Sequence, residues 1–177
     1  MDKPIKVALI GDHDTGKTQF VYSLISKGIV ISPVEQNKVY DYEIDNINCD
    51  KLKYKLYDFY GCNIDEILKG DIKYDACIVF YTSECDLKKT DQALNDFLVK
   101  HIHAAISICW NKHDCHTKES KKFKSNIRKF GYEYGCRYMD NAYMCVMSSL
   151  HCMNIYNPIL QITRRITNQL DLDYIKN

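Results

Sequence analysis

A chain of 177 residues, 46% hydrophobic and 27% charged, is long enough for one domain with a real core and a polar surface. Its formal net charge of +1 provides no global field to recruit nucleic acid or an anionic membrane. The nine cysteines are odd in number, scattered and without C-x-x-C spacing, so they read as free, mostly buried thiols in a reducing compartment, not as a disulfide framework.

No apolar run approaches the ~18 residues of a membrane span. The first residues, MDKPIK, lack a signal-peptide core, and Asp2 excludes N-myristoylation. The last residues, DLDYIKN, offer no cysteine for prenylation. The expectation is a cytoplasmic protein without a lipid anchor, neither secreted nor transmembrane, that acts as a monomer. Without repeats, low-complexity stretches or Pro/Gly/Ser linkers, residues 1–177 read as a single domain.

In chain order, IKVALI (Ile5 to Ile10) is an apolar run broken once, by Lys6, and it ends at Gly11; this suits a buried parallel strand feeding a loop. The loop is GDHDTGKT, residues 11 to 18, and it matches G-x-x-x-x-G-K-[ST]. A helix follows, with Phe20, Val21, Leu24 and Ile25 at helical spacing and Gly28 as its stop. In that setting backbone N–H groups cradle phosphate at the helix N-terminus, Lys17 reaches the outer phosphates and the Thr18 hydroxyl is suited to Mg²⁺.

Tyr40, Tyr42 and Ile44 alternate in one run, and Leu52, Tyr54 and Leu56 in the next, across the turn-rich DNINCD; this predicts a β-hairpin. Asp58 extends the inward-facing set to the strand end and opens Asp58-Phe59-Tyr60-Gly61, where an acid beside the first strand suits a second metal partner. The Gly61 N–H is free to face a terminal phosphate.

ACIVFY (Ala76 to Tyr81), AAISICW (Ala104 to Trp110) and AYMCVM (Ala142 to Met147) are short enough to be central strands. Helices are expected over Leu87 to His101 and Thr117 to Tyr134. A last helix is expected after Asn157-Pro158, as N-cap and first-turn proline, with the stripe Ile159, Ile162, Ile166 and Leu170. Alternating strands and helices predict an α/β fold: a three-layer sandwich with a mostly parallel six-stranded sheet and helices on both faces. After the fifth strand comes Asn111-Lys112-His113-Asp114. A carboxylate at Asp114 would accept from the paired N1–H and N2–H₂ donors of guanine, which adenine lacks. Asn111 faces the ring's other edge and the loop, and Lys112 covers the ring. Ser148-Ser149-Leu150, after the sixth strand, has N–H groups suited to the guanine O6.

These four motifs, in this order, resemble those of the Ras superfamily of small GTPases, over nearly the whole chain. Within it the chain is nearest to the Rab/Ran side and divergent: CWNKHD and IYNPILQITRRI are similar in texture to Ran. Thr18 and Asp58 are 40 positions apart, as the family spacing requires, whereas the interval from Asp114 to Ser148 is longer than usual. The resemblance implies a P-loop GTPase fold and a molecular switch that binds GTP and GDP with Mg²⁺ and regulates a partner protein in transport or signalling. Asp12, His13, Asp14, Thr15, Gly16, Lys17, Thr18 and Gln19 would line the phosphates. Asn111, Lys112, Asp114, Ser148, Ser149 and Leu150 would hold the base. Lys17, Gly61 and Cys62 would stand at the reacting phosphate, and Thr18, Asp58 and Ser32 at the metal.

The departures are specific. His13 stands where the family carries a small residue, and a bulky side chain there obstructs both the attacking water and an arginine donated by a partner. Cys62 replaces the water-orienting glutamine and is a poor substitute. ISPVEQNKVY, residues 31 to 40, has no threonine to sense the outer phosphate, so Ser32 is the nearest hydroxyl. Slow hydrolysis is therefore expected. Asp14 has a parallel in translational GTPases and is a candidate ligand for a monovalent cation. The basic stretch KESKKFKSNIRK, residues 118 to 129, reads as a solvated helix face. An alternative stays open: a GTPase-shaped interaction module that does not cycle and acts by occupying a partner.

Overall fold

A computed structural model describes residues 3–25, 37–45, 51–83, 85–113 and 142–173. Ser32, Asp114, the predicted helix from Thr117 to Tyr134 and the basic stretch within it lie outside the described residues. Strand β1 (Ile5–Ile10) shows why the sheet is covered on both faces. Its alternate side chains Ile5, Val7 and Leu9 enter one apolar cluster, while Ala8 and Ile10 enter another. Helix α1 (Lys17–Ile25) buries Phe20, Val21 and Leu24 in the first cluster.

Strands β2 (Lys38–Asp45) and β3 (Lys51–Asp58) form the antiparallel pair, with Tyr42 opposite Tyr54 on the covered face. On the other face Asp41, Glu43 and Asp45 stand opposite Lys55, Lys53 and Lys51. Two of these three pairs close within 4.0 Å, Lys55 to Asp41 at 3.3 Å and Lys53 to Glu43 at 4.0 Å. The short helix α2 (Ile64–Leu68) starts where the Asn63 side chain accepts from the Glu66 N–H. Asn63-x-x-Glu66 is a capping signature that sequence reading passed over, because five residues are too few to show a helical period.

Strands β4 (Ala76–Tyr81) and β5 (Ala105–Trp110) are buried along their whole length, as central parallel strands must be. Helix α3 (Leu87–Lys100) lies between them in sequence, its first turn capped by Asp86, which accepts from the Lys88 and Lys89 N–H groups. Strand β6 (Ala142–Val146) completes the sheet, and the Met147 N–H still donates to Trp110 O. The order is β2-β3-β1-β4-β5-β6, parallel throughout except for β2.

Helix α4 (Asn157–Thr167) corrects two expectations. Its cap is Tyr156, not Asn157, and it makes no side-chain cap hydrogen bond. The stripe stops at Ile166: Asn168 turns left-handed (φ 54°) and ends the helix, leaving Leu170 81% exposed. Helices α1 and α4 pack on one face of the sheet, α2 and α3 on the other. The α/β architecture with a six-stranded, mostly parallel sheet is as expected.

Candidate functional site

The strand–loop–helix unit wraps its loop around its own lysine. Lys17 Nζ, on the first turn of α1, donates to Gly11 O at 2.7 Å and Asp12 O at 2.9 Å. Two left-handed residues make the wrap, Asp14 (φ 57°) and Gly16 (φ 88°). Aspartate is among the few side chains that tolerate this region, so Asp14 is first a backbone choice, with its side chain exposed. Gly16 has no such substitute, since a Cβ there would lie 2.3 Å from the Asn111 amide nitrogen. Thr15 is fully buried and its hydroxyl donates back to Asp12 O at 2.9 Å, closing the loop on itself.

Burial of the Lys17 ammonium pushes its pKa below the ordinary lysine value, against the pull of nearby Asp58. A buried cation on two carbonyl oxygens at a helix N-terminus favours an anion in front of it.

The parallel register sets Asp58 beside Leu9, so the carboxylate arrives next to the loop. Thr18 Oγ1 donates to Asp58 Oδ2 at 2.6 Å. Asp58 is 3% exposed, and burial raises its pKa although the Thr18 hydroxyl and Lys17 act the other way. A hydroxyl and a carboxylate in contact are hard oxygen donors that fit Mg²⁺, which takes one or two protein oxygens with phosphate oxygens and water. Among the described residues no group of three or more His, Cys, Asp or Glu gathers as a self-sufficient metal cage.

The third wall is built by Asn111. Its side chain donates to Thr15 O at 2.8 Å and accepts from the Ser149 N–H at 3.0 Å, with the residue fully buried. One amide therefore ties the loop of residues 11–18 to the segment after β6. The same segment is tied to α1, where Ser23 Oγ donates to Ser149 O at 2.6 Å and Gln19 Nε2 donates to Ser23 Oγ at 2.9 Å. The Ser148 N–H donates to Met153 O and the Ser149 N–H to the Asn111 side chain. Leu150 follows at the surface, 43% exposed. Lys112 adopts a left-handed turn (φ 58°) directly after Asn111.

The unusual residues have definite partners. The Asp12 side chain turns to α3, with Lys89 Nζ at 3.1 Å. Burial alone would raise its pKa, but the His13 N–H and Lys89 together hold it below the ordinary value. The Cys62 thiol faces the Thr90 hydroxyl at 3.5 Å on α3, and burial keeps it protonated at neutral pH. The His13 ring meets the Tyr60 ring with centroids 4.3 Å apart, and a Cβ on Gly61 would sit 2.7 Å from its Cε1 and Nε2. Lys89, Tyr60 and Asn37, which accepts from the Tyr60 N–H at 2.8 Å, are site residues that sequence reading missed. Lys89 and Asn37 belong to no local motif, and only the fold brings them near the loop, whereas Tyr60 lies inside Asp58-Phe59-Tyr60-Gly61 as one of its variable positions. No family model matches the chain, and no curated protein matches it significantly.

Proposed function

We propose that this protein is a guanine-nucleotide-binding switch of the P-loop GTPase fold, a divergent relative of the Ras superfamily, that hydrolyses GTP slowly with Mg²⁺ in the cytoplasm and regulates a partner protein. The observation that carries the reading is the convergence of three chain segments on the loop of residues 11–18. Lys17 sits within the loop, Thr18 is bonded to Asp58, and Asn111 is bonded to Thr15 O. Lys17 would exchange its two carbonyl partners for phosphate oxygens. Thr18 and Asp58 would hold Mg²⁺, which when bound neutralises charge on the phosphate oxygens. Asn111 ties the loop to the segment after β6, and in this reading Asp114 would select guanine and the Leu150 N–H would meet the O6. Gly61 would offer its N–H to the third phosphate while water attacks the γ-phosphorus in line.

A second reading is favoured by one observation. The thiol of Cys62, at the position of the water-orienting glutamine, is turned to Thr90. A module that binds GTP and never turns it over would show this arrangement.

Single-turnover assays with GTP and with ATP, together with the identity of the nucleotide that co-purifies, separate the readings. Slow turnover of GTP but not ATP is expected. Tight GTP binding without turnover supports the module, and ATP binding as tight as GTP defeats both. Equal rates in K⁺ and Na⁺, unchanged by Asp14→Ala, would remove the monovalent cation.

A further inference from the structure

Three segments around the cradle are linked by contacts that involve no nucleotide. His13 extends from the phosphate loop and lays its imidazole against Gly61, whose Cα it approaches so closely that a Cβ would be 2.7 Å from two ring atoms. The same imidazole meets the Tyr60 ring edge-on at 4.3 Å. Tyr60 in turn is anchored through its N–H to Asn37 Oδ1 at 2.8 Å, at the start of the hairpin. Gly61 itself is left-handed (φ 62°), which fixes how its peptide plane enters this contact.

Lys17, now on Gly11 O and Asp12 O, would turn to the last phosphates of a bound nucleotide, and a third phosphate would then enter between the start of the loop and Gly61. The imidazole lies against Gly61 on that side, so it would obstruct a third phosphate there and leave a diphosphate unhindered. Cys62 gives no compensating contact, because its thiol points to Thr90.

We infer that His13 and Tyr60 form a latch that sets the site's preference among nucleotides, favouring the diphosphate over the triphosphate. This rests on the nucleotide reading and deepens it. A triphosphate must lift the imidazole off Gly61 and break its contact with Tyr60. An aromatic pair of this kind is worth a factor of roughly 2 to 12 in an equilibrium constant. Lifting the ring also frees Tyr60 and Asn37, so occupancy of the third phosphate position is transmitted to the start of β2.

The test is a titration of fluorescently labelled GDP and of a labelled non-hydrolysable GTP analogue, with Mg²⁺, against the wild type, His13→Gly and Tyr60→Ala. Thermal unfolding verifies that each variant is folded. The wild type is expected to bind the diphosphate more tightly, and both variants are expected to move the affinity ratio toward the triphosphate, by about tenfold for His13→Gly. Tyr60→Ala retains the imidazole and keeps the result readable if glycine loosens the loop. An unchanged ratio in both variants, with nucleotide bound, overturns the latch and leaves the nucleotide reading intact. If neither nucleotide binds to any of the three proteins, the nucleotide reading fails and the latch with it.

Discussion

Asp12 and Asp58 lie on either side of the same lysine, and their environments push them in opposite directions. The Asp12 pKa is depressed, so its contribution to stability is present above the unfolded value of 3.8 and is lost as pH falls through the lower native value. Lys89→Ala should therefore cost less than about 1 kcal/mol, as a half-exposed pair does. The deficit should persist at neutral pH and fade only under acid, in denaturant melts repeated down the pH scale. The Asp58 pKa is raised, so its contribution is present below 3.8 and is lost as pH rises through the native value. Asp58→Asn retains an oxygen for the Thr18 hydroxyl and removes the buried charge. At neutral pH it should raise the stability of the nucleotide-free protein by about 0.5 to 2 kcal/mol while weakening Mg²⁺-dependent nucleotide binding at least about tenfold. A variant that loses both stability and binding would show that the charge is structural.

At the level of elements, helix α4 separates apolar residue type from burial. Ile162 is 1% exposed in the core against the sheet, and Ile162→Ala should cost about 2 to 5 kcal/mol in urea unfolding. Leu170 continues the same spacing on paper, but Leu170→Ser should change stability by less than about 0.5 kcal/mol. The strands were legible in the sequence because alternation with period two, or an unbroken apolar run of six, has few other meanings. The helix end was misread because leucine at the right spacing outweighed Asn168, a residue well suited to a left-handed stop. The gathering of side chains around the loop was also legible: Lys17, Thr18, Asp58 and Asn111 belong to local patterns with fixed order. Lys89 was not, since it meets Asp12 across 77 positions and no short pattern encodes that meeting. The internal partners of the Ser148 and Ser149 N–H groups were not legible either, because backbone hydrogen bonds leave no trace in residue types.

Across the whole molecule, Asn111 is where the two halves of the sheet's upper edge are joined. Its amide bonds one segment 96 positions earlier and another 38 later. Asn111→Ala would leave a buried carbonyl and a buried N–H without partners, at a cost of about 2 to 4 kcal/mol. The melt should stay a single cooperative transition at lower temperature. A loss confined to nucleotide affinity, with the melting temperature unchanged, would show that the bridge serves ligand alone.

The charged rows of β2 and β3 have one more consequence. Asp41, Glu43 and Asp45 face Lys55, Lys53 and Lys51, with tyrosine, leucine and isoleucine alternating behind them. Slide one strand along the other by two residues and acid still meets lysine, apolar still meets apolar. The alternating charges alone therefore do not fix the phase of the hairpin, which the buried Tyr42 and Tyr54 and the pairing of β3 with β1 help to hold. A further tie stands at the open end, where Asn37 takes the Tyr60 N–H. The residue held there also carries the ring that rests on His13, so the start of the hairpin and the loop of residues 11–18 meet through that one residue.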